Sequence, residues 1–123
     1  MTYPKIDFST VQSAQQGWIA PTLLNSWTNY QPATWDPVGY MKDSLGFVHI
    51  RGFLKGGTLS TGTLVFTLPA GYRPEKSSYF ASGVNNSGAV TSWQVSSNGD
   101  VIILYGGSTS YCSIGCIVYK AYS

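Results

Sequence analysis

The stretch VGYMKDSLGFVHIRGFLKGG, residues 38–57, decides the fold of this chain, because it predicts two antiparallel strands joined by a tight turn. The turn is expected at Lys42–Gly46, where Gly46 supplies the positive φ that closes a three-residue hairpin loop. Side chains along the second strand alternate between two faces. One face has only apolar side chains or glycine, at Val48, Ile50, Gly52 and Leu54. We therefore expect this face to point into a core.

The opposite face of the same strand mixes aromatic and basic side chains, which is unusual for a solvated surface. Its members are Phe47, His49, Arg51, Phe53 and Lys55. The two phenylalanines need cover from water. Either a neighbouring copy of the chain or a second sheet of the same chain would provide that cover, and the spacing alone does not decide between them.

The composition indicates one β-rich domain. The chain has 123 residues, with 14 glycines, 9 tyrosines and 4 tryptophans, but only 10% charged residues, against about 25% in a typical globular protein. A net charge of +2 gives no argument for binding nucleic acid or an anionic membrane. No apolar run approaches the ~20 residues of a membrane helix, and residues 1–10 lack the apolar segment of a signal peptide. We expect neither membrane insertion nor secretion on an ordinary signal.

The two cysteines, Cys112 and Cys116, are expected to be free and buried. In an extended strand their Cα atoms would lie about 13 Å apart at ~3.3 Å per residue. A disulfide needs Cα atoms within about 7 Å, so the two would bond only if Gly115 folded the strand back. Free thiols suit synthesis in a reducing cytoplasm.

Residues 17–123 are expected to form a β-rich head of about nine short strands, because turn signals recur every ~8–12 residues. The Asn98–Gly99 pair is the strongest hairpin signal in the chain. Two strands are expected in residues 17–30, on either side of a turn at Pro21, and one closing strand lies near the C-terminus. The pattern favours an all-β fold, an antiparallel β-sandwich or jelly-roll-like knob.

Residues 1–16 differ from the rest and are expected to be a linker or the remnant of a stem. Ser9 or Thr10 is in position to cap a short helix there, and a frayed terminus is the alternative. Lys42, at the tip of the hairpin, is expected to be exposed. Other side chains are expected to be structural rather than ligand contacts, namely Trp18, Trp27, Arg73 and Trp93.

Five segments in order resemble the C-terminal receptor-binding head of bacteriophage tail fibre, baseplate and minor tail proteins. They are WIAPTLLNSWTNY, YMKDSLGFVHIRGFLKGG, FTLPAGYRP, SSNGDVIIL and SIGCIVY, and the specific pieces are residues 42–52 and 66–74. The resemblance implies a homotrimeric knob at the virion tail tip, made in the bacterial host cytoplasm and attached to other tail or baseplate proteins. It implies binding to a bacterial surface saccharide or another envelope component, with no cofactor. The attachment region of such heads is not recognisable, so a fragment or a small separate protein is expected.

A binding function needs exposed rings and planar polar groups, because the C–H faces of sugars stack on aromatic rings and sugar hydroxyls pair with polar side chains. The candidates are Trp35, Asp36, His49, Arg51, Tyr105 and Tyr111. The first two lie in a loop framed by prolines, the next two share one strand face, and the last two flank a glycine loop. Arg51 would also suit a phosphate-bearing polymer. Each has a structural alternative, as a loop anchor, a solvated group or a partner of a tyrosine.

Catalysis has little support in the sequence. His49 is the single histidine, no metal-binding spacing occurs, and no nucleophile or phosphate-binding motif is present. A glycosidase needs two carboxylates at one bond, and nothing places Asp36 beside Glu75. Asp43 and Asp100 lie beside predicted turns, where carboxylates accept backbone N–H bonds. We expect a non-enzymatic adhesion domain; the alternatives are a structural trimerisation cap and a polysaccharide depolymerase with its site between subunits.

Overall fold

The computed structural model describes residues 16–122, which form an all-β fold, as the sequence predicts. The strands are β1 (Thr28–Asn29), β2 (Gly39–Lys42), β3 (Phe47–Arg51), β4 (Phe53–Lys55), β5 (Thr63–Thr67), β6 (Ser78–Val84), β7 (Val90–Val95), β8 (Asp100–Tyr105), β9 (Cys112–Ser113) and β10 (Ile117–Lys120). No helix of the described residues is long and apolar enough to cross a membrane. The short helix predicted near Ser9 lies outside this range.

Three antiparallel sheets surround one hydrophobic core. Their strand orders are β10-β3-β2, β5-β8-β7-β6 and β1-β4-β9. Side chains from all three sheets meet in the core, including Ile50, Trp93 and Leu54. Packed antiparallel sheets with a shared core confirm the predicted β-sandwich.

The turn of the central hairpin forms as predicted. Gly46 has a φ of 88°, and its N–H donates to the carbonyl of Asp43 at 3.0 Å. The Asp43 carboxylate caps the turn, because its Oδ1 accepts the N–H groups of Leu45 and Phe47, each at 3.0 Å. The expectation that Lys42 is exposed was wrong. Its side chain is partly buried, and its Nζ donates to the carbonyl of Gly71 at 2.9 Å. Its side chain is on the inner side of the hairpin, opposite the buried Val48, and therefore reaches the neighbouring turn.

Gly52 divides the single strand that the alternation predicts over residues 47–55. Its φ is 145°, and a Cβ there would collide with the backbone of Val38. The chain therefore leaves the β10-β3-β2 sheet at this residue and enters the β1-β4-β9 sheet as β4. Buried and exposed side chains continue to alternate beyond Gly52, since Leu54 is buried while Phe53 is partly exposed.

The predicted closing strand is also divided, and its two parts follow the divided hairpin strand. β9 pairs with β4, with Ser113 opposite Phe53, and β10 pairs with β3, with Ile117 opposite Ile50. A partner strand must break wherever its neighbour changes sheet. Here the break includes Cys116, which has a φ of 60°. Both cysteines are free and Cys112 is buried, as predicted, but Cys116 is exposed because it lies at this break.

One further strand prediction was wrong in detail. Instead of the two strands expected in residues 17–30, this segment forms a single bridge, between Ile19 and Tyr40, and the two-residue strand β1. Regular extended structure is interrupted because Asn25 and Ser26 take positive φ values of 55° and 68°. In β5 a bulge between Leu64 and Phe66 turns Val65 and Phe66 both inward, where strict alternation would separate them.

Candidate ligand-binding site

Four aromatic side chains form a surface on and beside the β1-β4-β9 sheet, which we call the aromatic platform: Tyr30, Trp35, Phe53 and Tyr111. The rings of Tyr30 and Tyr111 stack with centroids 4.9 Å apart, and those of Trp35 and Phe53 lie 5.0 Å apart. The Tyr30 N–H donates to the Phe53 carbonyl at 3.0 Å, which joins the two pairs through the backbone. Trp35 is 45% exposed, so its loop presents a ring to solvent as predicted.

Beside the platform lies a cleft of about 520 Å³, which we call the polar cleft. The side chains that matter for its chemistry are Asp36, Arg51, Phe53, Ala81, Ser82 and Ser113. Gly52 and Cys116, the two positions where strands change sheet, also line it. The cleft is therefore a consequence of the divided strands, because the sheets separate where the backbone turns away.

Arg51 and Asp36 face each other across a long, solvated ion pair. The Arg51 Nη1 and Asp36 Oδ1 atoms are 3.9 Å apart, and the side chains are 38% and 58% exposed. Exposed pairs of this kind contribute little to stability. The Arg51 guanidinium instead lies over the ring of Trp18, with Cζ 4.0 Å from the ring centroid. Trp18, expected to be purely structural, thus orients a candidate ligand-binding group.

Two buried polar atoms of the cleft residues have no hydrogen-bond partner among the described residues. They are the Nε of Arg51 and the Oγ of Ser82. The third such atom in the described chain, the Nε1 of Trp27, belongs to a residue that does not line the cleft. A buried donor without a partner costs about 1–3 kcal/mol, so native proteins rarely keep one without a reason. Both atoms are covered by neighbouring protein atoms, so a hydroxyl-rich ligand would pair with them only if the Arg51 and Ser82 side chains turned toward the cleft.

His49 lies two residues from Arg51 on β3 but belongs to a different arrangement. Its Nε2 is 2.9 Å from the Oδ2 of Asp43, the carboxylate that also caps the hairpin turn. The hydrogen bond from His49, and next the N–H of Phe47, lower the pKa of Asp43. The imidazole of His49 is thus hydrogen-bonded to the hairpin turn and does not line the polar cleft.

Tyr105 is the last residue of β8 in the four-stranded sheet, whereas Tyr111 lies just before β9. Tyr105 and Tyr79 flank a groove of about 540 Å³, which we call the tyrosine groove; Thr61, Phe80, Ala81, Ser92 and Leu104 complete it. The two rings are 67% and 75% exposed. The structure thus brings Trp35, Asp36 and Arg51 together with Tyr111 nearby, and separates Tyr105 from them.

Sequence reasoning missed Ser82 and Tyr79. Alternation along β6 places Tyr79 and Ala81 on one face, and this was the available signal for an exposed ring. No sequence signal pointed to Ser82, because its place in the cleft depends on which strand edges meet. Arg73 is structural as predicted, with its Nε donating to the Leu68 carbonyl at 2.9 Å. Trp93 is fully buried and its Nε1 donates to the Ser82 carbonyl at 3.0 Å.

Comparison with known proteins gives a likeness in structure and none in sequence. No protein-family profile and no curated protein matches the chain. Among solved structures, the receptor binding protein (gp15) of Listeria phage PSA matches with a TM-score of 0.73 and 18% identity. The alignment covers 94% of this chain and 71% of that protein. The chain therefore has the fold of a phage receptor binding protein.

Proposed function

We propose that this chain is the host-recognition head of a phage or phage-like tail, and that it binds a bacterial surface saccharide, or another envelope component, without catalysis. The observation that carries the proposal is the polar cleft, where two unpartnered buried polar atoms lie beside exposed aromatic rings. The fold likeness to a phage receptor binding protein supports the biological context.

A neutral, hydroxyl-rich ligand suits the cleft best. Arg51 donates, Asp36 accepts, and the Ser82 hydroxyl does both, which matches the paired donor and acceptor character of sugar hydroxyls. Phe53 and Trp35 offer ring surface for the C–H faces of a sugar. The opposite charges of Arg51 and Asp36 offset each other, so a polyanion gains less here than beside an unpaired arginine.

Binding fits the cleft better than hydrolysis does. Of the described residues that line it, Asp36 is the one carboxylate. Cleavage of a glycosidic bond ordinarily needs two carboxyl groups on either side of that bond. A depolymerase would therefore require a second carboxylate from a neighbouring subunit.

The proposed head is a homotrimer at the virion tail tip, held by other tail or baseplate proteins. On the outer face of the β10-β3-β2 sheet, Phe47 and Val118 remain 38% and 44% exposed. The described chain does not place a second sheet over this face, so a neighbouring copy is the cover we propose. Sedimentation should give a trimer at micromolar concentration, and a monomer would contradict this part of the proposal.

The test is binding to a bacterial glycan array and to isolated cell envelopes. Wild type should bind, Arg51→Gln should bind at least about tenfold more weakly, and Lys76→Gln should bind like wild type. Lys76 is the matched control, because it is exposed, loses the same charge and does not line the cleft. Absence of binding by the folded wild type would favour a structural cap. Release of reducing sugar ends would favour a depolymerase.

A further inference from the structure

We infer that the ligand is an extended glycan that crosses strand β6 from the polar cleft into the tyrosine groove, so that one bound chain occupies both. This inference rests on the proposed function. It adds a second subsite and predicts that affinity depends on the length of the sugar chain.

The two depressions meet at one residue. Ala81 lines both the polar cleft and the tyrosine groove. β6 is the edge strand of the four-stranded sheet, with the cleft along residues 81–83 and the groove along residues 79–81. The Ala81 side chain is exposed and is a single methyl group, so a ligand crossing the strand there meets little obstruction.

The groove has the chemistry of a neutral sugar subsite. Tyr79 and Tyr105 are the two most exposed aromatic side chains of the described residues, and they offer ring faces for stacking. Ser92 lies between Ala81 and Tyr105 in the sheet, since it pairs with both, while Tyr79 pairs with Gln94. The small side chains of Ala81 and Ser92 leave space for a ligand between the two tyrosine rings. No charged residue lines the groove, so it offers nothing specific to a charged group.

A register shift in the sheet shapes the rim of this groove. The pairing of β7 with β8 slips between Ser92 and Trp93, so Leu104 is an extra residue beside Tyr105. Bulges of this kind re-aim side chains and occur frequently next to binding sites. Each depression, at about 520 and 540 Å³, is within the range of small-ligand sites, roughly 300–1,000 Å³. Together they accommodate more than a single sugar.

The experiment uses the strongest hit of the bacterial glycan array, cut into fragments of one to six sugar units. Calorimetric titration of wild type should show affinity rising with fragment length and then levelling. The double variant Tyr79→Ala, Tyr105→Ala should lose about tenfold in affinity for long fragments and should bind the shortest binding fragment like wild type. Tyr122→Ala is the matched control, because Tyr122 is 60% exposed and lines neither depression.

Other outcomes separate the failure of this inference from that of the proposed function. If length has no effect and the double variant binds like wild type while Arg51→Gln binds weakly, the cleft stands and its extension is wrong. If the double variant no longer sediments as the wild type does, the groove is a contact between copies and the inference is overturned. If no array glycan binds, the saccharide proposal fails and this inference fails with it.

Discussion

Two residues apart on strand β3, His49 and Arg51 each face a carboxylate, and the two arrangements differ in what they leave unsatisfied. The His49 Nε2 lies 2.9 Å from Asp43, which also accepts two backbone N–H groups. The Arg51 Nη1 lies 3.9 Å from Asp36, and its Nε has no partner among the described residues. Similar residue types thus serve the fold at one end of the strand and are available to a ligand at the other.

The largest expected effect comes from a change at Gly52, which follows Arg51 and separates β3 from β4. Gly52→Ala puts a Cβ against the backbone of Val38 at a φ of 145°, so we expect a loss of about 2–4 kcal/mol of unfolding free energy. Denaturant unfolding measures it. Gly62→Ala is the control, because Gly62 has a φ of 88° but open space around it, and it should cost only about 1 kcal/mol. Equal losses of unfolding free energy in the two variants would show that the close approach of residue 52 to Val38 does not affect stability.

The second prediction is that substitution of Arg51 weakens glycan binding whereas substitution of His49 lowers thermal stability. Arg51→Gln should weaken glycan binding about ten- to hundredfold and leave the Tm nearly unchanged, since its ion pair is long and solvated. His49→Gln should lower the Tm by a few degrees and leave binding unchanged. Thermal unfolding and calorimetric titration of both variants check this. If His49→Gln weakened binding as much as Arg51→Gln, the division of roles along β3 would be wrong.

The third prediction concerns pH and the hairpin end alone. The pKa of Asp43 is lowered from its ordinary value of 3.8, chiefly by the His49 hydrogen bond and then by the N–H of Phe47. The stability that this carboxylate contributes is therefore complete above the unfolded-state pKa and is lost as pH falls through the lower folded-state pKa. Between about pH 5 and pH 2, on either side of 3.8, the Tm of wild type should fall more than that of Asp43→Asn. Parallel losses in the two proteins would contradict the assignment.

The smallest expected effect concerns the ring that orients Arg51. Trp18→Ala removes the surface on which the guanidinium lies, at a cost of about 0.5–1 kcal/mol, which is about two- to fivefold in affinity. Trp18→Phe should recover part of the loss. A Trp18→Ala protein that binds like wild type would show that the guanidinium keeps its orientation without the ring.

Local patterns predicted the hairpin and part of the site, whereas contacts between distant segments required the structure. Gly46 and Asp43 act within a few residues of the turn, so the sequence reveals them. Gly52 fitted the apolar face of a continuous strand, and only its approach to Val38 shows that it divides that strand. Ser82 lines the cleft because β6 passes close to β9, a contact between distant segments that no spacing along the chain encodes.

The central claim is that the cleft residues Arg51 and Ser82 bind the ligand while His49 does not. Nuclear magnetic resonance of the isotope-labelled protein, titrated with the strongest array glycan, tests this most directly. On binding, the Arg51 Nε–H signal and the Ser82 amide signal should shift, while the Asp43 and His49 amide signals should stay in place. Shifts centred on the hairpin turn, with the Arg51 Nε–H signal unmoved in a saturated complex, would contradict it.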